Sequence, residues 1–142
     1  MKVTLGQLKV SIKALNRLSA IPLSAKLSYR LMRLTRDAVK EIELFDKVHI
    51  ELIKKYGGIE SGNGDINLPD ERLPEFMPEF NELVQQEAEV YGKPMSIDEF
   101  SKVEISANDL LVLSWLIQDP EELQAVQPPN EQPEEAQAQS VN

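Results

Sequence analysis

The sequence lacks cysteine and contains a single histidine, His49. Without thiols the chain has no disulfide, no thiolate nucleophile and no sulfur ligand for a metal ion. One imidazole cannot complete a zinc site, and no Ser–His–Asp grouping can be argued when one histidine must serve every role. We therefore predict no catalytic residue, no metal and no cofactor, and we expect that the protein is not an enzyme.

Long apolar runs are also missing. No stretch approaches the roughly 18–20 apolar residues that a membrane span requires. Near the N-terminus, Lys9, Lys13 and Arg17 interrupt any apolar region of the kind that a secretory signal needs. Together with the lack of cysteine, these absences predict a protein that works in the cytoplasm and does not enter a membrane.

The charged residues that are present are divided unevenly along the chain. Residues 1–56 hold 12 Lys and Arg against 5 Asp and Glu, whereas residues 57–142 hold 3 against 19. The two parts carry net charges of +7 and −16, which make the −9 of the whole chain. Such asymmetry indicates either a nucleic-acid or membrane surface, or an acidic half that packs onto the basic half. We favour the second interpretation.

The first half of the sequence carries the signals of two amphipathic helices. Thr4 and Gln7 form a capping box, and the first helix should end near Ala20 because Pro22 disfavours helical geometry at the residue before it. Apolar residues at spacings of three and four predict a second, long helix over residues 24–56. The short connection between the two helices favours an antiparallel hairpin.

The second half predicts shorter elements. We expect short strands over residues 66–68, 90–97 and 102–105, a third helix over residues 78–87 and a last helix over residues 106–117. The predicted fold is therefore mainly α: an antiparallel helical hairpin with a long second helix, plus a small β element and a short C-terminal helix.

The C-terminal segment has a different composition. From Pro120 onward the chain contains four prolines, many Gln and Glu residues and almost no large apolar residue. Such a segment cannot bury enough surface to offset the entropy lost on ordering. We predict one mostly helical domain over residues 1–118 and a disordered acidic tail over residues 119–142.

Three sets of side chains have predicted environments. Phe45 and Trp115 lie on apolar helix faces and should belong to the core. His49 lies on the same apolar stripe as Phe45, so we expect a half-buried helix histidine and not a metal ligand. Four further carboxylates at helical spacing should form a solvated helix face: Glu71, Glu75, Glu79 and Glu82.

The basic residues of the two long helices are the candidate partner-binding site. They repeat at helical spacing, which places them in stripes along the helix surfaces. Phosphates of a nucleic acid could contact such stripes, but aromatic residues between them are nearly absent and the acidic half would repel the same ligand. We favour a protein partner, with nucleic acid as the alternative. The candidate residues are Lys9, Lys13, Arg17, Lys26, Arg30, Arg33, Arg36 and Lys40.

Several short motifs resemble a family of small bacteriophage and prophage proteins of unknown function. They are Val3-Thr4-Leu5-Gly6-Gln7-Leu8, Leu23-Ser24-Ala25-Lys26, Tyr56-Gly57, Ser106-Ala107-Asn108-Asp109-Leu110 and Trp115-Leu116-Ile117. The resemblance spans most of residues 1–118 and implies a phage accessory protein that works in the bacterial host cytoplasm or is built into the virion. The family brings no known activity or site residues.

These observations lead to one expected function and two alternatives. We expect a non-enzymatic phage accessory protein, a protein-binding module that modulates a host or phage protein machine. A structural or assembly component of a virion, which would form an oligomer, is the first alternative. Nucleic-acid binding through the basic N-terminal helices is the second. The sequence leaves the identity of the partner and the oligomeric state open.

Overall fold

A computed structural model describes residues 1–63 and 65–121 of the chain. Four α-helices dominate this part, and the second is the longest with 31 residues. The predicted fold class, mainly α with small β elements, is confirmed. The predicted tail lies almost wholly in residues 122–142, outside the described residues. The helices are α1 (Leu5–Ser19), α2 (Ala25–Lys55), α3 (Leu73–Gln85) and α4 (Ala107–Val112).

The bounds of α1 and α2 follow from local capping chemistry. The Thr4 hydroxyl accepts a hydrogen bond from the backbone N–H of Gln7, which completes the predicted capping box. The Ser24 hydroxyl accepts from the N–H of Leu27 at the start of α2. Gly57 adopts a φ of 87° just after α2, a conformation that favours glycine and ends the helix. The two helices pack as the antiparallel hairpin that their short connection predicts.

The described strands form three two-stranded pairs. The first two pairs are antiparallel, and the third is parallel and joins residues on either side of α4. Their strands are β1 (Lys2–Thr4) with β4 (Glu87–Glu89), β2 (Ile59–Glu60) with β3 (Ile66–Asn67), and β5 (Met95–Ser96) with β6 (Ile117–Gln118).

Four of the predicted elements in the second half differ from the structure. Of residues 90–97, only Met95–Ser96 form a strand. The third helix begins at Leu73 and not at Pro78, because Pro74 already occupies the first turn and Pro78 lies inside the helix. Residues 102–105 form no strand. The last helix ends at Val112 and not at residue 117. The carbonyl of Leu116 accepts from the Met95 N–H, and Ile117 and Gln118 pair with β5 instead of continuing the helix.

The core lies between the hairpin and the elements that follow it. The inner faces of α1 and α2 supply most of the fully buried side chains, among them Leu8, Leu15 and Leu34. Phe45 is buried, as predicted, with 3% of its surface exposed. Trp115 is only partly buried and packs against the edge of this core. The hairpin is therefore covered on one side, and the opposite side of α2 faces solvent.

Candidate partner-binding surface

The two long helices carry all eight basic residues of the predicted site. The structure does not leave them as one uniform stripe, because they divide into three kinds of environment. Some pair with carboxylates of the same chain, one stacks on aromatic rings, and the others have no charge partner in the described part. On α1 the predicted residues are Lys9, Lys13 and Arg17, and on α2 they are Lys26, Arg30, Arg33, Arg36 and Lys40.

Two of the ion pairs are partly exposed. The Lys9 Nζ lies 2.7 Å from a carboxylate oxygen of Asp46 and bridges α1 to α2. The Arg30 Nη1 lies 2.8 Å from a carboxylate oxygen of Glu99, which follows β5. Partly exposed pairs of this kind typically contribute about 0–1 kcal/mol to the free energy of unfolding. Their main consequence is that Lys9 and Arg30 are already engaged within the fold.

The third ion pair joins α1 to α4 with two hydrogen bonds. The Arg17 Nε and Nη2 donate to the two carboxylate oxygens of Asp109, at 2.9 Å and 2.5 Å. This planar fork is the geometry that makes arginine–carboxylate pairs strong and specific. The guanidinium holds the pKa of the Asp109 carboxyl below its usual range, although partial desolvation acts in the opposite direction. Arg17 therefore anchors α4 and is not available as a partner-binding cation.

A buried hydroxyl reinforces the same contact. Ser11 is fully buried, and its Oγ accepts a hydrogen bond from the indole N–H of Trp115 at 2.8 Å. The Ser11 hydroxyl hydrogen can in turn reach the carbonyl oxygens of Gln7 at 2.5 Å and Val112 at 3.0 Å. The only buried polar or charged side chains in the described ranges are Ser11 and Asp109, and both lie between α1 and α4.

The Arg33 guanidinium contacts aromatic rings. Its guanidinium carbon lies 4.0 Å from the ring centre of Tyr91 and 6.0 Å from that of Tyr29. A cation over an aromatic face at this distance is attracted by the ring quadrupole. Tyr91 is held in place because its backbone N–H donates to the Asp37 carboxylate at 2.9 Å. No local pattern in the sequence indicates that Tyr91 joins Tyr29 at this point.

Four predicted residues remain without a charge partner. No ion pair or side-chain hydrogen bond engages them within residues 1–63 and 65–121. All four are exposed. Among the eight candidates, the expectation that the acidic half packs onto the basic half and neutralises it therefore describes Arg17 and Arg30 only, because the partner of Lys9, Asp46, belongs to the basic half. The four unpaired residues are Lys13, Lys26, Arg36 and Lys40.

Two of the unpaired cations border a groove on the solvent-facing side of the hairpin. The groove has a volume of about 590 Å³ and lies between the end of α1 and the N-terminal half of α2. Met32 is 53% exposed there and Val39 is 36% exposed, so apolar side chains that could bind a partner reach solvent. We call this feature the hairpin groove. Its apolar residues are Leu23, Leu31, Met32 and Val39, and its charged residues are Arg36, Lys40 and Glu43.

His49 belongs to an aromatic cluster at the other end of α2. Its ring centre lies 4.8 Å from that of Phe80, 5.7 Å from that of Phe45 and 6.3 Å from that of Phe76. The pKa of the His49 imidazole lies below its usual value, because partial burial in this cluster lowers it more than the nearby Asp46 carboxylate raises it. His49 is half-buried, as predicted, and it packs against three phenylalanine rings.

Glu79 is partly exposed, as predicted, but it also belongs to a hydrogen-bonded network that was not predicted. One of its carboxylate oxygens accepts from the Tyr56 hydroxyl at 2.6 Å and from the Lys55 ammonium at 2.8 Å. The hydrogen bond from Lys55, and to a smaller extent that from Tyr56, holds the pKa of the Glu79 carboxyl below its usual range. Arg72 also lies over the Tyr56 ring, 5.4 Å from its centre. This network joins α3 to the end of α2, although the Glu79 side chain keeps 40% of its surface exposed.

Comparison with known proteins identifies no relative, so a function must be inferred from the fold and its surface. No protein-family model, no curated protein and no solved structure matches this chain. The described residues contain no group of three His, Cys, Asp or Glu side chains that could bind a metal ion. No helix in the described part of the chain combines the length and apolar character that crossing a membrane takes.

Proposed function

We propose that this chain is a non-enzymatic protein-binding module and that its partner binds in the hairpin groove. The observation that carries the proposal is the combination of exposed apolar side chains, Met32 and Val39, with two cations that have no charge partner among the described residues, Arg36 and Lys40. Protein-binding sites typically join an apolar centre to a polar rim. The hairpin groove has both features on a rigid helix pair.

The chemistry of the groove favours a particular kind of partner segment. A helix that enters a groove places apolar residues at spacings of three, four and seven along one face. Such a segment would cover Met32 and Val39, and carboxylates beside its apolar face would pair with Arg36 and Lys40. In the context of the phage resemblance, we propose an accessory factor that modulates a host or phage protein machine through such a segment.

Nucleic-acid binding is the second candidate because four cations remain unpaired. Lys13, Lys26, Arg36 and Lys40 could contact phosphates, and such binding weakens with salt at a log–log slope of about 0.9 per phosphate neutralised on duplex DNA. A titration of labelled DNA and RNA at two salt concentrations tests this candidate. Micromolar or tighter binding with that slope would replace the protein-binding proposal.

Photocrosslinking in the cells from which the chain originates tests the proposal directly. A photoreactive amino acid at Met32 should form a covalent adduct with one protein, which mass spectrometry identifies. The matched control carries the same amino acid at Val10, which is 63% exposed on α1 and does not line the groove. We expect no adduct with that protein from position 10.

The outcomes separate the candidates. An adduct from position 32 alone supports a partner in the groove, and the purified partner should then bind the purified chain. Equal adducts from both positions, or none from position 32, would overturn the proposed site. Adducts only between copies of the chain, with an oligomer in solution, would favour the virion component instead.

A further inference from the structure

We propose that residues 122–142 dock in the hairpin groove of their own chain. This segment follows the last described residue, Glu121, and lies outside the structure. The inference concerns the same groove as the proposed function but needs no external partner, so either proposal can fail without the other.

Charge complementarity is the first argument. Residues 122–142 contain four glutamates and no lysine or arginine. In the groove, Arg36 and Lys40 have no carboxylate partner within the described residues, whereas other cations such as Arg17 do. Opposite charges on two surfaces of one chain attract one another, and the attraction is weakened by salt. The four glutamates are Glu122, Glu131, Glu134 and Glu135.

Apolar complementarity is the second argument. Residues 122–142 are mostly polar, but Leu123 and Val126 supply two apolar side chains three positions apart. The groove exposes apolar side chains of its own, Met32 and Val39. Covering these side chains removes apolar surface from water, which is favourable roughly in proportion to the area covered.

The position of the attachment point is the third argument. Gln118 in β6 pairs with Ser96 in β5, and Glu99 just beyond β5 contacts Arg30 near the start of α2. The acidic segment therefore leaves the fold near the same end of α2 that carries the groove. Its 21 residues can reach up to about 70 Å when extended, against about 22 Å for the helix from residue 28 to residue 43.

Because the segment is covalently attached to the domain, weak contacts are sufficient to hold it in the groove. A tethered segment experiences an effective concentration of the order of millimolar, so ion pairs with Arg36 and Lys40 and a small apolar contact can populate the docked state. Because the segment and an acidic partner would use the same cations, docking would compete with the binding of that partner. The hairpin groove would then have two alternative occupants, residues 122–142 of the same chain and the external partner.

Paramagnetic NMR on the full chain tests the docking. Because the sequence has no cysteine, Gln132→Cys creates one attachment site for a spin label between Glu131 and Glu134. We expect loss of methyl signal intensity at Met32 and Val39 relative to the reduced label. The methyl signals of Ile59, which lies beyond the C-terminal end of α2, should keep their intensity.

Two charge-reversal variants decide whether the groove is responsible. Arg36→Glu with Lys40→Glu should restore the intensity at Met32 and Val39, whereas the matched change of Lys13→Glu with Lys26→Glu should leave the loss in place. Circular dichroism shows that each variant keeps its helices. Full intensity at both methyl groups in the labelled parent chain, or a loss that the groove variant does not reverse, would overturn the inference.

A mixing experiment separates docking within one chain from docking between two. Spin-labelled chain without isotopes is mixed with isotope-labelled chain without the spin label, so only contacts between molecules can reduce the signals. We expect no loss of intensity in this sample. If the loss equals that in the chain that carries both the spin label and the isotopes, the occupant is a second copy. That result would contradict docking within one chain. Neither experiment includes the external partner, so neither outcome bears on partner binding.

Discussion

The two sides of the helical hairpin use basic residues in opposite ways. On the α4 side, Arg17 is held by the Asp109 carboxylate, and the indole N–H of Trp115 donates to the buried Ser11 hydroxyl. On the groove side, Arg36 and Lys40 have no charge partner in the described part and lie beside exposed apolar side chains. The difference teaches that similar basic helix positions become structural or available for binding according to which distant segment packs on them.

The largest contrast between the two sides should appear on truncation of apolar side chains. Leu113, which directly follows α4, is fully buried, whereas Met32 is 53% exposed in the groove. We expect Leu113→Ala to lower the free energy of unfolding by about 2–5 kcal/mol, because it removes buried methyl groups and leaves a cavity. Met32→Ala should change it by at most about 0.5 kcal/mol. Urea unfolding measures both, and equal losses would break the comparison.

A smaller effect should follow from removing the buried hydroxyl. Ser11→Ala leaves the indole N–H of Trp115 without its acceptor, and an unsatisfied donor of this kind costs about 1–3 kcal/mol. Thr35→Ala is the matched control, because the Thr35 hydroxyl contacts only Ser19 at an exposed site. If the two variants have the same urea midpoint, the hydroxyl network does not secure α4.

The Arg17–Asp109 pair should make the α4 side sensitive to acid. In the fold, the pKa of the Asp109 carboxyl is lowered below its ordinary value of 3.8. The unfolded chain therefore binds a proton at Asp109 more readily than the folded chain does. The stabilisation is therefore present above that value and is lost as the pH falls through the depressed pKa. We expect Asp109→Asn to be less stable than the parent chain at pH 7, with a difference that narrows towards pH 3.

Urea midpoints at several pH values measure this narrowing. Glu43→Gln, which changes a carboxylate in the groove, is the matched control and should show little difference from the parent chain at neutral pH. A difference between Asp109→Asn and the parent chain that stays constant with pH would show that the carboxylate charge is not what stabilises the contact.

The smallest expected effect distinguishes a paired from an unpaired arginine on the same helix. Arg30→Glu removes the contact with Glu99 and places two carboxylates together, which should cost about 1 kcal/mol or less. Arg36→Glu has no described carboxylate partner to lose, so its free energy of unfolding should stay within about 0.5 kcal/mol of the parent chain. A larger loss for Arg36→Glu would show that the groove cations are structural.

The helices of the first half could be predicted because their signals are local. Thr4 and Gln7 cap α1 within one turn, and Ser24 and Gly57 flank α2. Of the six described strands, only Ile66–Asn67 was predicted closely. Most of the others were missed because each has only two or three residues and pairs with distant sequence, as Lys2 does with Glu89. A short strand is stabilised by its partner, and the partner leaves no trace in the local pattern.

The candidate surface was predicted only in part for the same reason. The basic spacing on α1 and α2 correctly placed the candidates on helices, but it could not show that Arg17 meets a carboxylate 92 positions away. The groove was missed, although exposed apolar residues such as Met32 and Val39 fall outside the periodic stripe that marks the buried face of α2. That departure from the stripe was the available signal.

The binding of the photocrosslinked partner to two double variants tests the central claim most directly. Arg36→Glu with Lys40→Glu alters the groove, and Lys13→Glu with Lys26→Glu changes the same number of unpaired cations elsewhere. We expect the groove variant to lose at least about tenfold in affinity, equivalent to about 1.4 kcal/mol, while the other variant binds like the parent chain. Equal losses from both variants, with unchanged melting temperatures, would contradict a partner site in the hairpin groove.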